Sequence, residues 1–420
     1  MHTAKHTAFY KNTFWQYGLQ IAKYLFPFIT LPYLTRVLGP DVYAVRAYIL
    51  AAMTFAQVFL DYGFTSYGTK AIAENSDSRE RIQSETSCIL YLRLLLCLVG
   101  GAAVALATAV IPIMAANPLY VLIAYVGICF KALLPDFVFQ GLEDMGIITK
   151  RFVVSQAIST VLVFVLVHGA GDLLWVPALE GLASLVALLW SWGNVLHGRG
   201  LAFVRVGTAK MLDAFKTSSV FFLSNAATTI FTALTTLLIG VYVTDPAEIS
   251  YWSISMTAVS AIQSLYTPIT NSLYPHMVIR KDFALVKRLL KLGMPVVLVG
   301  TVAFAGLSNV VMGLLGGESY LPGAYVIAMV SPVLLFSFPA MLLGFPVLAA
   351  VGRVRQLTAS SVISALFHIA GLIALAAGGW FTVANVAVLR CGTEALLLGL
   401  RILFVVEFSR ERRGKGAGLS

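Results

Sequence analysis

The sequence predicts an all-α polytopic membrane protein with about twelve transmembrane helices. Of its 420 residues, 59% are hydrophobic and only 11% are charged, whereas charged residues make up roughly 25% of a soluble domain. The mean hydropathy is +0.86. Apolar stretches of the ~20 residues that a helix needs to cross a bilayer recur along the whole chain, and Lys and Arg collect in every second connection between them.

The apolar stretches define twelve predicted membrane helices, most of them separated by connections too short for structure of their own. Their approximate ranges are 12–36, 42–64, 86–111, 118–140, 148–168, 173–196, 215–240, 247–275, 291–316, 321–350, 355–378 and 382–408. The longest polar connections, 65–85 and 197–214, have room for at most a short interfacial helix. Nothing in the sequence predicts a separate soluble domain.

The basic residues predict which side of the membrane each connection faces, because short cytoplasmic loops carry an excess of Lys and Arg. The predicted cytoplasmic set is Lys5, Lys11, Lys70, Arg79, Arg81, Lys150, Arg151, Arg199, Arg205, Lys210, Lys216, Arg280, Lys281, Lys287, Arg288, Lys291, Arg353, Arg355, Arg410, Arg412, Arg413 and Lys415. Only Arg36 and Arg46 lie in segments predicted to face the opposite side. We therefore expect both termini in the cytoplasm, and the net charge of +10 needs no nucleic acid to explain it.

The helices divide into two predicted sets of six, an N-terminal bundle over 1–205 and a C-terminal bundle over 206–420. Repeated halves are the usual plan of secondary transporters. The first helical hairpin turns at Gly39 and Pro40, and the seventh-to-eighth hairpin turns at Asp245 and Pro246 in the corresponding place. This similarity supports a two-lobed architecture.

Polar side chains follow one face of several predicted helices. The stripes comprise Gln16, Gln20, Lys23, Tyr24 and Pro27 on the first helix, Asn225, Thr228, Thr229, Thr232, Thr235 and Thr236 on the seventh, and Ser253, Ser260, Ser264, Thr267 and Asn271 on the eighth. For a single stripe, hydrogen bonding between packed helices is the alternative interpretation. Three stripes in corresponding places of the two halves favour a shared water-filled cavity.

Basic residues inside the predicted spans are candidates for binding an anionic substrate. A cation at membrane depth costs at least ~2.5–3.5 kcal/mol, so it usually faces a cavity or a partner. The predicted substrate-binding set consists of Lys23, Arg93, Lys131 and Arg390 inside the spans, Arg36 and Arg46 beside the outer turn of the first hairpin, and Gln20 on the polar stripe. Lys23 is the strongest candidate, because its own helix offers no acid within reach. Arg93 either faces the lumen or snorkels to the surface, and we expect Arg401 to snorkel.

Acidic residues inside the spans are candidates for coupling to protons or sodium, because a carboxyl group in a low dielectric can titrate near neutral pH. They are Glu180, Asp136, Asp61 and Glu394. Structural alternatives exist: Glu394 is an i,i+4 partner for Arg390, and Asp61 is placed to cap its helix. Lys131 and Asp136 are badly spaced for a pair within one helix. Glu180 is the strongest coupling candidate.

The sequence contains none of the motifs that would predict an enzyme or a cofactor. It has no GxxxxGK[ST] string and no HExxH or Cys/His cluster, so we expect neither an ATPase site nor a metal or other cofactor. The acids in the predicted outer connections are Asp41, Asp172, Asp245, Glu248 and Glu318. They are scattered, and no large outer loop accompanies them.

Three motifs resemble a known family. The run NTFWQYGLQIAKYLFPFITLPYLTRVLGPDVYAV over 12–45 resembles the start of Wzx-type polysaccharide-repeat-unit flippases of the multidrug/oligosaccharidyl-lipid/polysaccharide exporter superfamily, with PYLTRVLGP as its most characteristic part. Further matches are DYGFTSYGTKAIAE over 61–74 and FVFQGLEDMGIITKR over 139–151. Ala44 departs from the family pattern, in which a Gly commonly follows the Tyr.

The resemblance implies two six-helix bundles around a central cavity that opens alternately to either side of the bacterial cytoplasmic membrane. The implied cargo is an undecaprenyl-pyrophosphate-linked oligosaccharide, moved to the outer leaflet for synthesis of O-antigen, capsule or exopolysaccharide. The implied partners are this substrate, membrane lipids and the polysaccharide polymerase machinery. A cationic lumen is thought to accept the pyrophosphate and sugars in this family, and Arg36 is the candidate that lies inside a strong motif.

Two other functions are weighed against a flippase. A drug/cation antiporter of the same superfamily would favour an acidic cavity over one rich in Lys and Arg. A membrane polysaccharide polymerase or glycosyltransferase would need a substantial outer loop with catalytic carboxylates.

Overall fold

The computed structural model describes the backbone of residues 2–229 and 233–417. Within these ranges the side chains of 2–13, of 412–417 and of some positions between 220 and 280 lie outside the description. Members of the predicted polar stripes and of the predicted cytoplasmic set that fall there are Thr232 and the side chains of Lys5, Lys11, Asn225, Thr228, Asn271, Arg280, Arg412, Arg413 and Lys415.

The chain forms two compact units, Met1–Thr229 and Ile230–Ser420. The described helices of the first unit are α1 (His2–Asp61), α2 (Phe64–Glu74), α3 (Arg79–Val110), α4 (Pro112–Ala115), α5 (Pro118–Ala132), α6 (Asp136–Gly141), α7 (Met145–Leu166), α8 (Trp175–Gly193) and α9 (Thr208–Thr229). Those of the second unit are α10 (Thr235–Tyr242), α11 (Pro246–Ser264), α12 (Thr267–Arg280), α13 (Phe283–Gly306), α14 (Ser308–Leu315), α15 (Ala324–Val330), α16 (Pro332–Leu342), α17 (Val354–Ala377) and α18 (Val383–Ala417).

Helix α1 contains the predicted first hairpin turn. At 1.5 Å per residue a straight helix of its length would be about 90 Å long, three times the ~30 Å hydrocarbon core. The run is broken at Gly39, whose φ of 73° and ψ of 169° are non-helical. Only glycine adopts such a φ readily, and Pro40 behind it lacks the backbone donor that would continue the ladder. The two arms of α1 therefore correspond to the first two predicted spans.

The first unit is held by an aromatic and aliphatic core at the ends of α2, α3 and α6. Phe64, Ile89, Phe137 and Phe139 are fully buried there. Helix α9 joins this core through its own aromatic residues, since the ring of Phe215 stacks on Tyr62 with centroids 4.2 Å apart and planes at 11°.

Prolines interrupt the regular α-helix in the middle of the second unit. Helix α16 contains Pro339 and continues into a π-helical segment, Leu343–Ala349, that contains Pro346 and a non-helical Gly344. Each proline lacks a backbone donor and frees a carbonyl of the preceding turn. Arg401 of α18 donates to the carbonyl of Ala340 at 2.7 Å, and the same carbonyl accepts from the backbone N–H of Leu343.

Arg401 corrects one prediction from the sequence. Instead of snorkelling to the surface, its guanidinium also reaches the hydroxyls of Ser360 (3.4 Å) and Ser361 (3.3 Å) on α17. These contacts give the guanidinium three acceptors within the second unit, so it needs none at the distant interface.

The helices confirm the predicted fold class. Among the described residues, eight helical runs are long and apolar enough to span a membrane, and the first of them, Phe14–Glu74, contains two predicted spans. The described residues of the predicted spans near 215–240, 247–275 and 382–408 are largely helical too, in α9 to α12 and α18. The chain is an all-α, multi-pass membrane protein.

Candidate functional site

A close contact between α5 and α8 places the main charged residues of the first unit. Gly127 and Gly181 lie at the crossing, and a Cβ added to Gly127 would approach the Cα of Gly181 to 3.2 Å. The two backbones therefore touch, as small residues allow in membrane helices. Glu180 lies beside this contact on α8, and Lys131 follows it by one turn on α5.

A cavity lies between helices α5 and α8 and the second arm of α1. It has room for water-sized solutes over about 40 Å³. Its lining residues are Arg46, Leu50, Met53, Tyr120, Ala124, Gly127, Ile128, Lys131, Pro177, Glu180, Gly181 and Ser184. A cavity of this size holds more than one water molecule. Two cations and one carboxylate in the lining leave an excess of one positive charge.

Arg46 and Glu180 form an ion pair across this cavity. Nη2 of Arg46 lies 3.1 Å from Oε1 of Glu180, and the two side chains are 14% and 35% exposed. Nη1 lies 3.4 Å from the hydroxyl of Tyr43. Nε of Arg46 is buried and has no hydrogen-bond partner among the described residues. The guanidinium thus retains donors that an anion in the cavity can engage.

Lys131 is the second cation of the cavity. Its side chain is exposed, and no acid of the described chain lies within 4 Å of its Nζ atom. Asp136, five residues on, instead pairs with Arg151 at 2.7 Å. The structure thereby brings together three residues predicted separately: Arg46 and Lys131 for substrate binding and Glu180 for coupling.

Arg93 and Asp61 form a second pair, deep in the first unit. Nη2 of Arg93 lies 2.5 Å from Oδ1 of Asp61 and 2.8 Å from the hydroxyl of Thr65. Nη1 donates to the carbonyl of Leu134 at 2.8 Å. Arg93 is only 3% exposed, so it neither snorkels nor faces an open lumen in this structure. These contacts join α1, α2, α3 and the α5–α6 connection.

Arg151 is a buried partner that the sequence did not predict. It was assigned to a cytoplasmic connection, but α7 begins at Met145, so Arg151 lies in its second turn and is 3% exposed. It forms an ion pair with Asp136 and donates a hydrogen bond to the hydroxyl of Ser191. No local feature of the sequence separates the buried Arg151 from the preceding Lys150, which is exposed.

The second unit contains a buried polar cluster around Arg390 and His368. Nη1 of Arg390 lies 2.7 Å from Oε2 of Glu394, the i,i+4 pair that the sequence offered. His368 is fully buried, with Nδ1 2.9 Å from the Thr393 hydroxyl and Nε2 2.8 Å from the Thr235 hydroxyl. A lone His inside the apolar stretch 355–378 was the missed signal.

The hydrogen bonds around His368 indicate that its Nδ1 atom carries a proton. The Thr393 hydroxyl donates to the carbonyl of Leu389 at 2.8 Å. Since that hydroxyl has one proton, it accepts from Nδ1 of His368. His368 thus connects α10, α17 and α18.

Three further predicted residues lie on the surface of the first unit. Gln20 and Lys23 are exposed on the first arm of α1 together with Gln16 and Tyr24. Lys23 has no ion-pair partner in the described part of the chain. Arg36 is exposed and donates to the carbonyl of Pro32 at 2.8 Å. The predicted stripe is therefore present as an uncovered polar face.

The fold and these charges define a multi-pass membrane protein in which most of the buried charged side chains form ion pairs. The chain belongs to the family described as "Polysaccharide biosynthesis protein", whose model matches residues 9–279.

Two curated relatives are similar in sequence. The protein named "Putative O-antigen transporter" of Escherichia coli (strain K12) is 23% identical over 267 residues, which are 64% of this chain and 64% of that protein. The protein of the same name from Shigella dysenteriae is 26% identical over 270 residues, 64% of this chain and 67% of that protein. The match thus spans slightly under two thirds of the E. coli relative. Family and relatives agree with the prediction that the chain is not an enzyme.

Solved structures with the same fold cover nearly the whole chain. An inward-facing multidrug resistance MATE family transporter of the MOP superfamily superposes with a TM-score of 0.75 at 12% identity, covering 94% of this chain and 96% of that one. The lipid II flippase MurJ, in an inward closed conformation, gives 0.74 at 13% identity, covering 94% and 87%. These similarities confirm the predicted all-helical polytopic fold.

Proposed function

We propose that this protein is a flippase that moves lipid-linked oligosaccharide repeat units from the inner to the outer leaflet of the bacterial cytoplasmic membrane. The proposal is supported by the family, by the names of the two relatives and by the fold shared with a lipid flippase. The observation that carries it is the cavity of the first unit, in which Arg46 and Lys131 outnumber the single carboxylate of Glu180.

The cargo proposed for this site is an undecaprenyl-pyrophosphate-linked oligosaccharide. Its pyrophosphate carries two negative charges beside an apolar tail, and arginine and lysine are the side chains that bind phosphate oxygens best. The exposed residues Gln20, Lys23 and Arg36 would contact the sugar or phosphate on the uncovered face of α1. Arg93 and Arg390 pair with carboxylates outside the cavity lining, so we propose only a secondary role in binding for them.

The proposed orientation has both termini in the cytoplasm, following the distribution of Lys and Arg. Units delivered to the outer leaflet would be used by a polysaccharide polymerase, which makes that machinery a proposed partner.

The proposal also includes coupling of transport to a proton or a sodium ion. Each carboxylate predicted for it has an arginine within 3.1 Å: Arg93 for Asp61, Arg151 for Asp136, Arg46 for Glu180 and Arg390 for Glu394. A proton or sodium ion that binds any of these carboxylates therefore competes with the charge of an arginine. Alternating access requires that the bound ion or cargo prefers one of the two states.

The test is deletion of the gene, followed by extraction of lipid-linked oligosaccharides and assignment of the leaflet that they occupy. Complete repeat units should accumulate on the cytoplasmic side, and the cloned chain should restore their transfer. Complete but unpolymerised units on the outer side would instead identify a polymerase. Unchanged lipids would contradict both functions and favour a drug exporter.

A further inference from the structure

The ion pair between Arg46 and Glu180 lies in the same cavity that we propose for the cargo. The sequence predicts substrate binding for Arg46 and ion coupling for Glu180, and 134 positions separate the two residues in the chain. In the structure an anion that enters the cavity meets an arginine already occupied by a carboxylate. Among the four arginine–carboxylate pairs formed by the predicted coupling residues, only this one lines the cavity.

We propose that Glu180 is a resident counter-anion, which the pyrophosphate of the cargo displaces from Arg46 and which returns to Arg46 when the cargo leaves. This inference rests on the proposed function and assigns a role to one residue within it. Glu180 would then act by competition and by neutralising the empty carrier, without contacting the cargo.

The geometry of the pair favours displacement over permanent pairing. One nitrogen of Arg46 contacts one oxygen of Glu180, whereas the strongest arginine–carboxylate pairs make two parallel hydrogen bonds. The pyrophosphate brings two charges and more acceptor oxygens, and Nε of Arg46 has no other partner in the described chain. Lys131 lies in the same lining and adds a second cation that Glu180 does not engage.

The same pair solves a problem of the return step. A carrier that has released an anionic cargo would otherwise change state with an unpaired arginine inside the membrane, which is costly. With Glu180 back on Arg46, that charge is neutralised. Removal of the carboxylate should therefore improve binding of the cargo and slow the cycle.

The variant Glu180→Gln tests this separation of binding from turnover. Glutamine keeps the shape and an acceptor oxygen but removes the charge. The matched control is Asp144→Asn, which removes the carboxylate of the Arg199–Asp144 pair (2.6 Å) outside the cavity lining. Lys131→Gln, at an exposed position, removes the second cation with little risk to folding.

Binding is measured by calorimetry with the purified protein in nanodiscs and dimethyl pyrophosphate as the probe. This diester has two strongly acidic oxygens, so the probe itself exchanges no proton near neutral pH. We expect Glu180→Gln to bind it on the order of tenfold more tightly, the low end for a hydrogen bond between charged groups. Lys131→Gln should bind more weakly, and Asp144→Asn should match the wild type.

Turnover is measured in proteoliposomes with the lipid-linked unit isolated from the deletion strain. Glu180→Gln should lower the half-saturating concentration and reduce the maximal rate. Equal or weaker binding by Glu180→Gln would overturn the inference. So would uptake of a proton on binding, seen in buffers of different ionisation enthalpy and absent in Glu180→Gln, because it would make Glu180 a proton carrier.

The outcomes also separate this inference from the proposed function. Wild-type proteoliposomes that move no lipid-linked unit contradict the flippase itself. Wild-type transport with unchanged binding and turnover in Glu180→Gln leaves the flippase intact and removes the counter-anion.

Discussion

The Arg93–Asp61 pair provides the sharpest test of structural against functional roles for the buried charges. Arg93 is 3% exposed and makes its contacts to Asp61, Thr65 and the carbonyl of Leu134, while its guanidinium lies 5.4 Å from the centre of the Phe137 ring. Because these partners come from four different segments, we expect loss of the pair to destabilise the first unit.

The expected magnitude follows from the burial of the two partners. Removing one member of a buried ion pair costs about 3–5 kcal/mol, because the other charge is left uncompensated. Asp61 keeps 25% of its surface exposed, so we expect Asp61→Asn to cost about 3 kcal/mol, the lower end of that range. The double variant Arg93→Met with Asp61→Leu buries no charge and should be more stable than Asp61→Asn.

Thermal unfolding of the detergent-solubilised protein measures these differences. The control is Lys70→Gln, which removes the cation of the exposed pair Lys70–Glu74, 69% and 62% exposed and 3.9 Å apart. We expect no measurable change there, as for most surface pairs. The reasoning is refuted if Asp61→Asn unfolds at the wild-type temperature or if the double variant is the less stable of the two.

Three further predictions concern other parts of the chain. Lys23→Ala should reduce surface polysaccharide at an unchanged level of protein in the membrane, whereas unchanged polysaccharide removes Lys23 from the site. Arg401→Met should lower the unfolding temperature, because the carbonyl of Ala340 loses a 2.7 Å hydrogen bond at membrane depth, and an equal temperature would show that water replaces it. The Leu285 amide donates to Asp282 at the start of α13 and holds the pKa of that carboxyl below its usual range. This carboxylate contributes stability above the usual aspartate range and loses it as pH falls through the lowered pKa. The exchange rate of the Leu285 amide in the wild type should therefore rise, relative to the rate in Asp282→Asn protein, only below that range. Equal protection of this amide in the two proteins at all pH values would exclude the cap.

The fold was predictable from local properties of the sequence. Apolar length identified the spans, and the Gly39–Pro40 dipeptide identified the break in α1, because both signals lie within one element. The i,i+4 pair of Arg390 and Glu394 was predictable for the same reason.

The partners of the other buried charges were not predictable. Helical periodicity gives the face of a residue on its own helix, but not which residue of another helix meets it. Arg46 meets Glu180, and Arg151 meets Asp136, through packing between elements. The α5–α8 contact depends on Gly127 and Gly181 facing each other, a match that neither helix reveals alone. His368 was missed because its hydroxyl partners lie on α10 and α18.

The separation of Arg46 from Glu180 along the chain also has a consequence for synthesis and membrane insertion of the protein. At ~5–20 residues per second, the ribosome needs roughly 7 to 27 s to make the stretch between them. Arg93 is synthesised after Asp61, and Arg151 after Asp136, so those arginines enter the membrane with their partners already made. Arg46 is made before its partner and must wait for it. Substitutions at Arg46 should therefore affect insertion of the nascent chain, whereas substitutions at Glu180 act only after the early helices are in place.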